Sequence, residues 1–385
     1  MARASNKPPL PKGFFTIWTT VALDLIGFGI VVPILGRYAE RFGASGLQVG
    51  LLFASFSLAQ LVFSPILGRL SDRIGRKPVI LISLLGTAVG SFVTGAAGAL
   101  WLLFVGRVID GASGASVAVA QGAVTDVASP EERPRLLGLL GAAFGVGFVV
   151  GPALGGLAAL GGEHVPFFVA GCVALINAIV AFFRLPETRP VDVRIESRSN
   201  SDERPVRLWG IAVAGFTAIV AFSGFESTFS LLAGDRFDLT EAGVAAVFVG
   251  VGSVLVAVQA LLVRPVNARL GTERSVQSGL VANTAGLVVL SFAEQWPLLI
   301  VALFLLTVGQ GLVTPNLSAL VSGRVPDHRR GEALGFQQGV NAIGRVAGPA
   351  LAGLLYDHVS IGSPYLVGGV LCGIALTVVG GTRRS

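Results

Sequence analysis

Long uncharged apolar runs alternate with short breaks rich in charge, glycine and proline along the whole chain. The runs cover roughly 13–35, 47–67, 78–97, 101–122, 136–159, 164–183, 208–232, 242–263, 275–293, 297–322, 332–355 and 363–380. About 18 or more apolar residues suffice for a membrane span, because ~20 residues at ~1.5 Å rise cross the hydrocarbon. The pattern predicts an all-α polytopic membrane protein with twelve transmembrane helices. Backbone polar groups in lipid must be satisfied within each segment, which favours helices. A β-barrel would need short alternating strands, which the pattern lacks. The tightest breaks, "AAGAL" and "AEQWP", divide the third run from the fourth and the ninth from the tenth. The first run exceeds the roughly 7–15-residue core of a signal peptide, so it is read as a retained span.

Composition supports this picture. The 385 residues are 53% hydrophobic and only 13% charged, against about 25% charged in soluble chains. Glycine, at 52 residues, is about twice its usual share and lets helices approach closely. Cys172 and Cys372 both fall in apolar runs and carry no redox signal. The net charge of +6 points to cytoplasmic loops rather than nucleic acid. With the N-terminus inside, 23 of the 28 Lys and Arg lie on the cytoplasmic side, against Arg37, Arg41 and Arg236 outside. That bias predicts a plasma-membrane protein with both termini in the cytoplasm. The polar stretch 185–207 mixes both charge signs with Pro and Ser and reads as a cytoplasmic linker. It separates six-helix bundles at 1–184 and 208–385.

The halves repeat at an offset of about 196. "VGFVVGPALGGLAAL" (146–160) aligns with "IGRVAGPALAGLLYD" (343–357), and the loops before them correspond. The charged knot "GRLSDRIGRKP" (68–78) has a degenerate echo in "RPVNARLGTERS" (264–275), with Ala268 where the first copy has Asp72. Two related six-span halves suit a transporter whose site lies between them near midplane.

The knot resembles the signature of the major facilitator superfamily, G-x-L-x-D-R-x-G-R-K/R, at Gly68, Leu70, Asp72, Arg73, Gly75, Arg76 and Lys77. Span count, central linker and repeat extend the resemblance over the chain. It implies a conformational gate, with the acid near the N-terminus of the eleventh helix when the transporter faces outward. A carboxylate is favoured there by ~0.3–1 kcal/mol. Gly68 would allow close helix approach, and Asp126 and Arg133 would extend the gate as partners. A purely topogenic charge cluster is the plainer alternative. "GFVVGPALGG" in span five, with Gly147, Gly151, Pro152, Gly155 and Gly156, is similar to the G-x-x-x-G-P-x-x-G-G pattern of proton-antiporting exporters. Small residues four apart make a flat packing face, and Pro152 removes a backbone hydrogen bond. "LDLIGFGIVVPIL" (23–35) also looks like the twelve-span drug-exporter branch, tetracycline exporters included. "GRVIDGASGAS" (106–116) is similar to that family's R-x-x-x-G motif, although Asp110 departs from the usual uncharged polar residue.

Five formal charges fall within the predicted spans: Asp24, Arg107, Asp110, Glu226 and Arg345. Each costs at least ~2.5–3.5 kcal/mol near mid-bilayer, which makes each a functional candidate. Asp24 lies about 16 Å into span one. Burial disfavours a carboxylate's charge and a nearby cation favours it, so such a group can be tuned to exchange a proton. Arg107 and Asp110 share one helical face. The family packs spans one and four along its cavity, which implies a proton-coupling cluster of Asp24, Arg107 and Asp110. A static Arg–Asp pair pinning two helices is the structural alternative. Glu226 and Arg345 are expected in the outer half, Arg345 preferably as a structural ion pair. Glu226, Gln310, Asn316, Gln338 and Asn341 are substrate-cavity candidates. Gln60, Gln121 and Gln259 are weaker ones, and Phe28, Phe222, Phe225 and Phe229 could line an apolar pocket. All three histidines fall in loops.

There is no Walker-type phosphate loop, Cys/His metal cluster or Ser/His/Asp arrangement in the spans. Enzyme activity, cofactor and metal are therefore not expected. The first reading is proton-coupled efflux of small amphipathic or drug-like molecules by a monomer in the bilayer, driven by the proton gradient. A facilitator or proton symporter for a metabolite such as a sugar or organic ion remains open, and a membrane sensor stands behind both. Carboxylates serve H⁺ and Na⁺ alike, so these residues leave the coupling ion open.

Overall fold

The computed structural model describes residues 10–129, 132–188, 209–325 and 330–381, and all their regular structure is helical. The first half holds α1 (Phe14–Glu40), α2 (Gly46–Ile74), α3 (Arg76–Gly95), α4 (Leu100–Ser113), α5 (Ser116–Val127), α6 (Arg133–Ala159) and α7 (Val165–Arg184). The second holds α8 (Trp209–Phe237), α9 (Glu241–Ala257), α10 (Val263–Leu270), α11 (Thr272–Ser291), α12 (Trp296–Gly323), α13 (Arg330–His358) and α14 (Ser363–Gly381). A π-helical turn, Val258–Leu262, joins α9 to α10. Predicted span four is α4 plus α5, span eight is α9 through α10, and every other span is one helix.

Among the described residues, nine segments are long and apolar enough to cross a membrane. Helices α11 and α13 have the length but carry more polar side chains, among them Asn283, Gln337, Gln338 and Arg345. The apolar part of α14 is shorter, at Ser363–Val379. The result is a multi-pass, twelve-span helical fold.

Several helices outrun their apolar stretches. Helix α1 continues to Glu40, and Arg37 pairs with Glu40 one turn away at 3.0 Å. Helix α2 continues to Ile74, so residues 68–74, expected as a loop, are its last turns. Long charged side chains reach past the apolar zone while the backbone ladder carries on. Only Gly75 breaks the helix before α3, at φ 103°. Gly271 makes the equivalent turn in the second half at φ 78°. These torsions are in a region that L side chains rarely adopt.

The repeat is also visible in packing. A Cβ on Gly90 would stand 2.8 Å from the Gly106 carbonyl oxygen, where α3 crosses α4. A Cβ on Gly286 would stand 2.8 Å from the Ala302 carbonyl oxygen, where α11 crosses α12.

The end carrying Gly13, Gly75 and Leu185 is the near end; the end carrying Glu40, Ser45 and His358 is the far end. At the far end one apolar core joins both halves, including Ile30, Leu35, Tyr38 and Phe53 with Phe225, Phe229 and Leu299. Toward the near end it forks. One branch lies within the first half around Val79, Leu84, Val119 and Leu136. The other lies within the second around Val276, Leu280, Val313 and Leu317. Two seams close the far end, α2 on α13 and α6 on α9. Both rely on small residues. The Gly50 position abuts the Pro349 carbonyl and Gly353 abuts Gly46, while Gly252 abuts the Phe148 carbonyl and Gly156 abuts Ala245. Near-end glycines Gly68, Gly138, Gly141, Gly335 and Gly339 would meet nothing within 4 Å of an added Cβ. The halves therefore meet at the far end and separate at the near end.

Candidate functional site

Helix α1 is buried for most of its length, and Asp24 is its eleventh residue. Its carboxylate accepts a hydrogen bond from the Ser116 hydroxyl, a short contact between α1 and α5. Among the described residues no cation pairs with it. Ser116 reaches Asp24 because span four is broken there. The ladder of α4 ends at Ser113, Gly114 and Ala115 turn out of helical register, and α5 restarts at Ser116. The Gln60 side chain of α2 donates to the Gly114 carbonyl at 2.8 Å. Irregular backbone at membrane depth needs such a partner or a water-filled cavity.

Arg107 and Asp110 form a pair of their own. Arg107 is 3% exposed and its Nη1 donates to Asp110 Oδ2 at 2.8 Å. Its guanidinium carbon lies 4.2 Å from the centre of the Phe56 ring on α2, and its Nε has no partner. Asp110 faces α3, where a Cβ on Gly90 would touch its own Cβ at 2.9 Å. The expected three-residue cluster is thus linked by charge and not by hydrogen bonds: Asp24 is bonded to Ser116 and feels the Asp110 carboxylate, while Arg107 and Asp110 are paired among α2, α3 and α4.

The glycine–proline motif packs α6 against α1. A Cβ on Gly147 would meet Leu25 at 2.7 Å, one on Gly151 the Gly29 Cα at 2.6 Å, and one on Gly155 the Ile30 carbonyl at 2.9 Å. Gly156 faces the opposite half instead, and Pro152 lies inside the helix. The motif therefore serves the α1 seam directly beside Asp24.

At the near end Arg76 is the centre of the charged knot. It binds Asp72 at 2.9 Å, Asp126 at 2.9 Å and the Ser71 hydroxyl at 2.7 Å. Glu187 closes the knot by accepting the Arg76 and Lys77 backbone N–H groups at 2.9 and 3.0 Å. Lys77 lies 5.7 Å over the Phe182 ring. Arg133 makes no ion pair among the described residues. Gly68 makes no close helix contact in this conformation.

Glu226 keeps one carboxylate oxygen buried without a partner, and Arg345 is exposed. Among the described residues no direct salt bridge joins them, but the Arg345 charge still acts on the Glu226 carboxylate. Arg345 stands on α13 where the first repeat has Phe148. Asn341 also holds a buried, unpartnered oxygen, 3.3 Å from where a Gly215 Cβ would stand. Gln338 is exposed on the same helix. Gln310 and Asn316 are engaged between helices instead. Gln310 accepts from Asn283 at 3.3 Å, and Asn316 accepts from Asn267 at 2.6 Å. Phe225 and Phe229 are core residues packed on Phe248, whereas Phe28 and Phe222 are half-buried. His164 and His358 stand at helix ends, and His328 lies outside the described residues.

Sequence reasoning did not find Ser116, Phe56, Glu187 or Asp357. Ser116 and Phe56 are ordinary residues in apolar runs. Asp357 had one available signal: it stands where the first repeat has Leu160.

A family profile described as Major Facilitator Superfamily matches residues 17–277 and 260–383. The chain is 32% identical over 377 residues to tetracycline resistance protein, class G, of Vibrio anguillarum, covering 93% of this chain and 95% of that one. It is 28% identical over 380 residues to multidrug resistance protein 2 of Bacillus subtilis (strain 168), covering 95% and 94%. It is similar in structure to a bacterial homolog of the human lysosomal transporter Spinster in an inward-facing, occupied conformation. There the TM-score is 0.79 at 14% identity, over 96% of each chain, and the likeness is one of fold.

Proposed function

The chain belongs to the major facilitator superfamily, and from that premise we propose that it is a proton-coupled exporter of small amphipathic or drug-like molecules working by alternating access. The observation that carries the proposal is Asp24, a carboxylate at membrane depth held by one hydroxyl and, among the described residues, by no cation. The similarity to tetracycline and multidrug resistance proteins over nearly the whole chain supports the substrate class. Ionised, Asp24 presents a negative charge to a cationic or polar substrate; protonated, it presents none. Proton and substrate then exclude one another at α1, and each half-cycle carries one of them. The locked Arg107–Asp110 pair holds α4 in place while Asp24 exchanges.

The bias of 23 of 28 Lys and Arg toward the predicted cytoplasmic segments supports a cytoplasmic near end. The conformation described here is then open to the cytoplasm and ready to load. Glu226, Asn341 and Gln338 are the polar groups of the second half proposed to meet substrate. The bundles 1–184 and 208–385 rock about the linker 185–207, and the knot around Arg76 closes the near end when the far end opens.

The test is internal pH in proteoliposomes carrying the purified protein while lipophilic cations, neutral drugs and sugars are added in turn. Proton movement opposite to one compound is expected, and Asp24→Asn should abolish it while leaving the helical circular dichroism signal intact. A fully coupled Asp24→Asn protein would sink the proposal. Substrate movement with no proton response would assign a facilitator.

A further inference from the structure

The far end carries a cross-half contact that the transport reading does not use. Asp357, in the last turn of α13, lies against the first turn of α2. Its Oδ1 accepts the Gly46 backbone N–H and its Oδ2 accepts the Leu47 N–H, each at 2.7 Å. The Ser45 hydroxyl accepts the Gln48 N–H, and the Gln48 side chain accepts the Ser45 N–H. The opening donors of α2 are thus all satisfied, and the first two of the helix proper are satisfied by the other half of the molecule. Helix-terminal N–H groups otherwise need a cap or water, and a carboxylate there also gains from the helix dipole.

The fit depends on close approach. A Cβ on Gly46 would stand 2.7 Å from the Asp357 carboxylate and 3.1 Å from the Tyr356 ring. Tyr356 donates its hydroxyl to Asp235 at 2.7 Å, which ties this corner of α13 to α8. The matching α6–α9 seam is tied by side chains instead: Arg41 at the end of α1 pairs with Glu241 of α9 at 3.3 Å and with Glu163. Leu160 stands at the position equivalent to Asp357, and the N-terminus of α9 is capped within its own half by Thr240.

We propose that Asp357 is the far-end latch of the transport cycle: its carboxylate holds the N-terminus of α2 while the near end is open, and must release it before the far end can part. The latch acts on the conformational equilibrium, so it stands or falls independently of what is carried or which ion drives it.

Two variants weaken the contact from opposite sides. Asp357→Asn removes the charge and one acceptor oxygen while keeping the shape. Leu47→Pro removes one donor, and proline in the first turn is compatible with a helix. Helices α6, α7 and α12 of this chain already begin with proline in their first turn. Spin labels go at Leu160→Cys and Val359→Cys, exposed far-end positions in opposite halves, with Cys172 and Cys372 replaced. Electron–electron distance measurements then read the populations of closed and parted far ends in detergent without substrate. The parent is expected to be mainly short-distance. Each variant should raise the long-distance to short-distance ratio by about fivefold to thirtyfold, the range for a partly buried charge at a helix terminus. A distribution superimposable on the parent's in either folded variant overturns the latch. Should Asp357→Asn fail to fold, Leu47→Pro carries the test alone.

Discussion

Arg107 shows what one buried charge demands of its neighbours. Among the described residues it has a single counterion, Asp110, and a single aromatic face, Phe56. Removing one partner of a buried ion pair costs about 3–5 kcal/mol, because the other charge is left uncompensated. A cation–π contact is worth about 2 kcal/mol or somewhat more when desolvated. Asp110→Asn should therefore lower the thermal unfolding midpoint in detergent clearly more than Phe56→Leu does. An Asp110→Asn protein as heat-stable as the parent would remove the pair from the framework of the fold. The five membrane charges were legible in the sequence because a charge in an apolar run stands out. Their partners were not. Ser116 is one serine among many, and Phe56 is one of 24 phenylalanines. Which of them meets a charge is decided by how helices distant in sequence cross.

At the scale of elements, the crossing of α6 over α1 is a close-fitting contact beside Asp24. Gly151 faces the Gly29 backbone so closely that a methyl group must displace one helix. Overpacking of this kind costs typically about 1–3 kcal/mol. Gly151→Ala should destabilise the protein by that order, as read from its unfolding midpoint. Gly138, on the same helix, faces open space. Gly138→Ala should be neutral or stabilising, by roughly 0.5–1 kcal/mol from helix propensity. Equal effects at the two sites would mean that the crossing is not tight. All twelve elements could be read from their apolar runs, since length and hydropathy dominate in lipid. Their ends could not, because a charged turn can stay helical once it reaches water. The break at Gly114 was also hidden: the apolar run passes straight through it, and the Gln60 side chain that supports it comes from another helix.

For the whole molecule, the forked core predicts who can reach what. Gln338 lies exposed on α13 and Leu160 at the far end of α6. A membrane-impermeant maleimide should label Gln338→Cys only from the cytoplasmic face and Leu160→Cys only from the outside. Labelling from the reversed faces would invert the proposed orientation. The repeat was legible as self-similarity, whereas the open and closed ends depend on contacts between halves that no local pattern encodes. The two turns at Gly75 and Gly271 bear on history as well. They share one glycine-only torsion 196 residues apart, although Asp72 has become Ala268 in the other copy and Leu160 stands opposite Asp357. A torsion that only glycine tolerates has no neutral substitute, whereas an acid at a helix end can be lost from one copy and used in the other. The duplication is thus written most durably in the backbone, and its divergence in the charges: each mouth of the molecule now keeps its own acid, drawn from a different half.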